Sequence, residues 1–318
     1  MKLARALAIG CLFSACGMFG GGPPPQRALP PGAETFSLTG EPLYPMALPA
    51  DEQVKRETKL AAAKAAYDAQ PDDADALVEY GRRLGHIGRY NEAIRVFSDG
   101  IWKHADDPRM YRHRGHRYIS LRRFDLAVQD LEQATALIRT RPDEIEHPLS
   151  PNARGIELDW LHHNVHYHLG LAYYLEGDFE RALPAYRACL DASKNVDSQC
   201  SAAHWLYMTL RRLGRADEAT RVLAPFDAAM DVVEYHGYHR LLLVYKGEMD
   251  ADQLLVDTPP TGKTAIEYAT IGYGVGNWHL YNGRRERALQ VFAEVSRAEA
   301  WPAFGRIASE VELARVAP

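Results

Sequence analysis

The stretch GRRLGHIGRYNEA, residues 81–93, decides how the whole chain is read. It opens on one glycine, breaks at another, Gly88, and closes on Ala93. A diverged copy, GHRYISLRRFDLA at 115–127, is displaced by 34 residues at both its first glycine and its last alanine. GLAYYLEGDFERA at 170–182 and GNWHLYNGRRERA at 276–288 repeat the pattern, and GRADEA at 214–219 repeats its second half. A large apolar residue follows each closing alanine by four: Phe97, Leu131, Tyr186, Leu223 and Phe292. Self-similarity at such a period is the mark of a stacked-repeat architecture.

The chemistry of the unit is that of two antiparallel helices. Gly81, Ala93 and their equivalents are small where two helices must approach closely, and the second glycine lets the chain reverse. Tyr90, Phe124 and Phe179 fill the wedge beside that turn. A single hairpin cannot cover its own apolar face, so neighbouring units stack. In these features the chain resembles the tetratricopeptide repeat family from residue 50 onward. The resemblance implies an all-α fold, a right-handed α-α superhelix of about five to six helix-turn-helix repeats.

The expected solenoid spans 51–318, with repeats near 74–107, 108–141, 163–196 and 200–233, a degenerate one at 234–257, and the last at 269–302. The alanine spacing places an insertion at 142–162. An alanine-rich helix at 52–69 reads as a half-unit capping the first repeat, and 303–316 reads as a closing helix.

The N-terminal residues belong to a different class. Lys2 and Arg5 precede an apolar run at 6–13 and small residues ending in Cys16, the order of a secretory signal over residues 1–16. The segment before Cys16 resembles the lipobox of bacterial lipoproteins, departing from it at Phe13. That resemblance implies acylation of Cys16 and anchoring at the periplasmic face of the outer membrane. Residues 17–50, dense in glycine and proline, are expected to be a disordered tether. A net charge of −5 gives no signature of nucleic-acid binding.

Four histidines, His162, His163, His166 and His168, crowd the start of the third repeat. His162 and His166 lie one helical turn apart, a spacing that a metal-binding helix uses. A metal-dependent enzyme or metal-binding protein would complete such a site with a carboxylate of the insertion: Glu144, Glu146, Glu157 or Asp159. The repeat frame accounts for the same stretch as an ordinary first helix, with Asn164, Tyr167 and Leu171 toward the concave wall. The zincin pattern is broken because His163 stands where a glutamate is needed. The sequence PTGKT at 260–264 echoes a phosphate-binding loop but has Asp257 where that motif has glycine. No nucleophile–base arrangement stands out, so no enzyme and no cofactor is expected. Cys189 and Cys200 flank one interhelical loop, either as a disulfide in an oxidising compartment or as two buried thiols.

The family's groove positions then give the expected partner-binding surface. They fall on Arg82, then Arg109, Arg112 and His116, then Tyr167 and Tyr174. Later repeats contribute His204, Met208 and Arg211, then Tyr273, Asn277 and Tyr281. Arginines there would grip carboxylates, and tyrosines would supply rigid contact area for a protein or peptide. The function implied is a non-enzymatic protein–protein interaction module, a lipid-anchored periplasmic adaptor or scaffold.

Overall fold

The computed structural model describes residues 28–255 and 264–316. A helix α1 (Ala50–Ala69) leads into paired helices: α2 (Ala74–His86) with α3 (Tyr90–Lys103), and α4 (Pro108–Ser120) with α5 (Phe124–Ile138). After the insertion come α6 (Leu161–Glu176) with α7 (Phe179–Asp191), and α8 (Val196–Arg212) with α9 (Ala216–Leu223). The degenerate unit is α10 (His236–Lys246) with a single 3-10 turn at Asp252–Leu254 in place of a second helix. The last hairpin is α11 (Thr264–Tyr281) with α12 (Arg285–Val295), followed by α13 (Phe304–Ala314). This is an all-α helical-repeat superhelix.

Local chemistry starts and ends these helices. Asp73 accepts a hydrogen bond from the backbone N–H of Ala76, Asp178 from that of Arg181, and Asn195 with Ser198 forms a reciprocal capping box. A Cβ on Gly81 would lie 2.5 Å from the Phe97 ring, and one on Gly276 would lie 2.5 Å from Phe292, so the small residue sets the helix separation. In the fourth hairpin Tyr207 occupies that place, and its partner α9 is only 8 residues long.

The turn residue between paired helices is a glycine in the left-handed region at Gly88, Gly177, Gly214 and Gly283. In the second hairpin the same place is held by Arg122, at φ 61°. A non-glycine residue there costs about 1 kcal/mol or more, so something must hold it. Its guanidinium donates to Glu310 at 2.7 and 3.0 Å and to the carbonyl of Trp301 at 3.0 Å. Glu310 lies on α13.

That contact shows how the closing helix sits. Although α13 packs on α11 and α12 as an end-cap would, its inner side also enters the curved wall, reaching back to the second repeat. Residues from Gly305 to Glu312 are all buried. Gly305 is required because a Cβ there would collide with the backbone of Ala269. Arg212 grips Glu312 at 2.9 Å, and Arg315 donates to the carbonyls of Tyr174 and Leu175. This explains why α6, α8 and α11 lack a solvent face: Tyr167 to Leu175, Cys200 to Leu210 and Ile271 to Asn277 are continuously buried.

One correction concerns the expected tether. Residues 28–49 are packed against the repeats through a two-residue antiparallel pair, β1 (Thr35–Phe36) with β2 (Pro42–Leu43). Glu34 accepts from the backbone and side-chain N–H groups of Asn91 at 2.8 Å, and Thr35 donates to the carbonyl of Leu121. The Trp301 indole donates to the carbonyl of Tyr44, and Leu43, Tyr90, Ile94, Leu121 and Trp301 form one apolar cluster. Glycine and proline do exclude long helices here, but they do not prevent docking where aromatic residues offer a surface. The segment therefore seams the first two hairpins to the last. Residues 1–27, including Cys16 and the signal sequence, and most of PTGKT lie outside the described residues.

The insertion forms a strap. Its ends meet in an antiparallel bridge between Ile145 and Trp160. The carbonyls of His147 and Leu149 accept from Arg82 and Arg83, while Arg154 pairs with Asp231 at 2.8 Å. It thus runs from the first hairpin to the approach to α10. Cys189 and Cys200 are both buried free thiols, so of the two expected states the disulfide is not the one observed.

Candidate partner-binding cleft

Between the seam, the strap and α13, part of the concave wall stays open as a cavity of about 1350 Å³. This exceeds the ~300–1,000 Å³ typical of small-molecule pockets. Residues of α2, α4, α6, α10 and α11 line it, with Pro49 at one rim and Phe304, the first residue of α13, at another. Of the expected groove residues, Arg82, Arg112, His116 and Tyr167 line this cleft.

The others do not. Tyr174, Tyr273 and Asn277 are buried in a hydrogen-bonded network: the Asn277 amide donates to the Tyr174 hydroxyl, and the Tyr273 and Tyr174 hydroxyls lie 3.0 Å apart. Glu312 of α13 ends that network. Met208 is buried beside Asn277, and His204 is buried against Tyr245, whose hydroxyl is 3.1 Å from its Nδ1. Arg211 lies over the Tyr281 ring at 4.3 Å. Arg109 is held outside the cleft by Asp107 and Asp75, both at 2.7 Å, and its pKa is raised chiefly by its hydrogen bond to Asp107. The positions fall on first helices as the repeat requires, but the protein's own chain occupies half the wall.

Within the cleft, hydrogen bonds fix the imidazole tautomers. His168 Nδ1 lies 2.6 Å from the carbonyl of Asn164, which can only accept, so Nδ1 carries the proton and Nε2 is a bare acceptor. Arg112 can only donate to His113 Nδ1 at 2.7 Å, so the His113 proton is on Nε2. Burial, with the charges of Arg112 and Arg117 beside them, depresses the pKa of His113, His116 and His168 well below the ordinary imidazole value. His86 and His163 are lowered to about 4, burial again being the main cause. At neutral pH the wall is therefore a row of uncharged rings, with His116 and His168 4.3 Å apart and Phe304 against both.

Several polar atoms of this wall have no hydrogen-bond partner: Arg112 Nε, His168 Nε2, His86 Nδ1 and Glu146 Oε1. Buried polar groups are normally satisfied, and exceptions ask for a reason. Arg117 adds a free charge. Its guanidinium lies 4.9 Å over the Tyr90 ring, and no carboxylate among the described residues pairs with it. Burial lowers its pKa to about 10. Arg117, His113 and His168 were absent from the sequence-derived groove because all three fall off the family's groove positions; Arg117 fits where Gly85 leaves room for its guanidinium.

The metal alternative is corrected. Among the described residues no group of three or more histidine, cysteine, aspartate or glutamate side chains is placed to hold a metal ion. Each carboxylate named to complete a site with His162 and His166 has other contacts. Glu144 approaches Arg109, Glu146 pairs with Arg112 at 2.9 Å, Glu157 meets His147 at 3.1 Å, and Asp159 accepts from the Tyr235 hydroxyl.

The family model for the tetratricopeptide repeat matches residues 163–196, the α6–α7 hairpin whose geometry the other units repeat. That hairpin is a tetratricopeptide repeat. None of the curated proteins compared with this chain matches. Among solved structures, a tetratricopeptide repeat protein from Parabacteroides merdae ATCC 43184 is 17% identical, over 81% of this chain and 94% of that one, with a TM-score of 0.46. TTC0263 of Thermus thermophilus, described as a thermophilic repeat protein, is 17% identical over 61% and 93%, with a TM-score of 0.44. YrrB, described as a repeat protein with an unusual peptide-binding site, is 15% identical over 74% and 91%, with a TM-score of 0.43. Relative to an open repeat groove, the tetratricopeptide wall here is divided into a filled half and an accessible half.

Proposed function

We propose that this tetratricopeptide-repeat protein is a non-enzymatic interaction module that holds a short stretch of a partner protein or peptide in the open half of its concave wall. The observation that carries this reading is the set of under-satisfied polar groups on the cleft wall, Arg112 Nε and His168 Nε2 without hydrogen-bond partners and Arg117 without a carboxylate, interleaved with the rings of Tyr167 and Phe304. Donors and acceptors interleaved with apolar surface suit a peptide, which brings both kinds of group and side chains to bury. The strap and α13 bound the cleft, so the occupant is a short segment or a chain end in place of a long helix.

The proposal includes location: an acylated Cys16 holding the module at the periplasmic face of the outer membrane. It is supported by the basic, apolar and small residues that precede Cys16 in order. No helix among the described residues is long and apolar enough to cross a membrane. Radiolabelled palmitate incorporated by the natural chain and lost in Cys16→Ser would support the anchor.

The test of binding is a photo-reactive side chain at Thr270, which lines the cleft, compared with one at Trp102, which is 81% exposed and lines none of it. Cross-linking in the native envelope at 270 alone, abolished by Arg117→Glu, is the expected result. Equal capture at both positions would remove the cleft as the contact surface.

A further inference from the structure

The strap sets two carboxylates side by side on the wall of the cleft. Ile145 and Trp160 form the antiparallel bridge, and the N–H of Glu146 donates to the carbonyl of Asp159 at 3.0 Å. Glu146 and Asp159 are therefore cross-strand neighbours, and both line the cavity. Like charges placed opposite each other on a ladder are destabilising. Such violations of local rules are found where function requires them.

The surroundings do not neutralise the pair. Glu146 is 8% exposed, and its Oε2 is engaged by Arg112 and by the Asn164 amide. Its Oε1 has no hydrogen-bond partner, though the His113 Nε2 is 3.3 Å away in poor alignment. Asp159 has the Tyr235 hydroxyl, at 3.3 Å, as its side-chain partner. Burial raises its pKa, and the charge of Glu146 raises it further. Glu234 lines the same cavity, is likewise raised by burial, and forms no ion pair among the described residues. Three carboxylates thus face two guanidinium groups: that of Arg112, already committed to Glu146 and His113, and that of Arg82, which feels the charge of Glu146 but donates to the carbonyl of His147. Nearby cations point elsewhere: Lys194 lies over the Trp160 ring, and Arg154 holds Asp231. The rings of Tyr235 and Tyr238 stand 5.9 Å apart at 83°, and the Tyr238 hydroxyl meets that of Tyr167 at 2.8 Å.

We propose that this end of the cleft is a cation subsite, in which a primary ammonium or guanidinium group of the partner is seated among Asp159, Glu234 and the free Oε1 of Glu146. The tyrosine rings add a face that favours a cation. The group would be a lysine or arginine side chain, or a free amino terminus, and it would complete the charge balance that the strap leaves open. Together with Arg117 it would orient a bound peptide. This inference rests on the reading of the cleft as a peptide site and assigns the chemistry of one end of it.

The test is calorimetric titration of the full chain with three pentapeptides: acetyl-Gly-Tyr-Lys-Tyr-Gly-amide, its norleucine counterpart, and the norleucine peptide with a free amino terminus. The acetylated lysine peptide, the unblocked norleucine peptide, or both should bind about tenfold or more tighter than the fully blocked norleucine peptide. Which of the two does so distinguishes side chain from amino terminus. Asp159→Asn and Glu234→Gln should each erase that preference while the protein melts no lower than the natural chain. Equal affinity for all three peptides, no binding by any, or a preference unchanged in both variants would overturn the subsite. Capture through position 270 that persists in such a case would leave the interaction module standing without it.

Discussion

Arg122 and Glu310, 188 positions apart in sequence, form a buried ion pair in which the arginine backbone is left-handed where the other regular hairpins carry glycine. The two side chains are 3% and 0% exposed. Removing one partner of such a pair strands the other, at a cost of about 3–5 kcal/mol. Arg122→Ala should therefore lower the unfolding free energy strongly. Arg122→Gly loses the same pair but relaxes the backbone, so it should be less harmful than Arg122→Ala by about 1 kcal/mol. Urea unfolding of the two variants checks the difference, and equal midpoints would show that the turn stores no strain.

Removal of residues 304–318 tests whether α13 is part of the core. It uncovers Tyr174, Tyr273 and the inner faces of α6, α8 and α11 together. The truncated chain should bind a hydrophobic dye and lose amide-exchange protection in those three helices. Retention of both the natural melting temperature and protection would mean that the repeats stand without their filling.

Close packing at Gly81 gives a local test. A methyl group there presses on the Phe97 ring, and overpacking of this kind costs about 1–3 kcal/mol. Adding Phe97→Leu should recover part of the loss in a double-mutant cycle. Strict additivity of the two changes would deny the contact.

Acidification should destabilise the protein in a defined window. The folded pKa values of His86 and His163 are depressed to about 4, and that of His204 to about 3, all mainly by burial. A depressed folded value means the unfolded chain takes up protons first, so this stability is present above about 6.5 and is lost as pH falls toward 4. Urea midpoints measured from pH 7 to pH 4.5 should drop steadily. A flat profile would contradict the burial of these imidazoles.

Asp159 behaves with the opposite sign. Its folded pKa is raised, so its favourable contribution is complete below the unfolded value of about 3.9 and is lost as pH rises through the folded one. Asp159→Asn should therefore raise the melting temperature at pH 7, and the gain should shrink toward pH 4. The Tyr235 hydroxyl can still donate to the asparagine carbonyl. A lower melting temperature at pH 7 would show that the carboxylate is stabilising as it stands.

The hairpins were legible in the sequence because their determinants are local. Gly81 faces Phe97 within one pair of helices, and Gly88 must turn left-handed whatever lies beyond. The groove residues were legible as positions but not as surface. Whether Tyr174 or Tyr273 is open depends on how far the superhelix curves and on what returns into it, and α13 reaches Tyr273 across 39 positions and Tyr174 across 141. The trace of that return was present in chemical form. Arg122 stands in a glycine's place, and Glu310 and Glu312 interrupt an apolar helix, so all three needed partners. The docking of residues 28–49 left a fainter trace in Phe36, Leu43 and Tyr44, apolar residues that a free linker has no use for.

The seam made by residues 28–49 and Trp301 changes what kind of array this is. Open solenoids are nearly one-dimensional: units are added, lost or melted from an end with little effect on distant ones. Here the first hairpins and the last are riveted together, like a bracelet with its clasp shut. A duplicated or deleted unit would pull the clasp out of register, so the number of hairpins is fixed by geometry, and fraying at either terminus is felt at both.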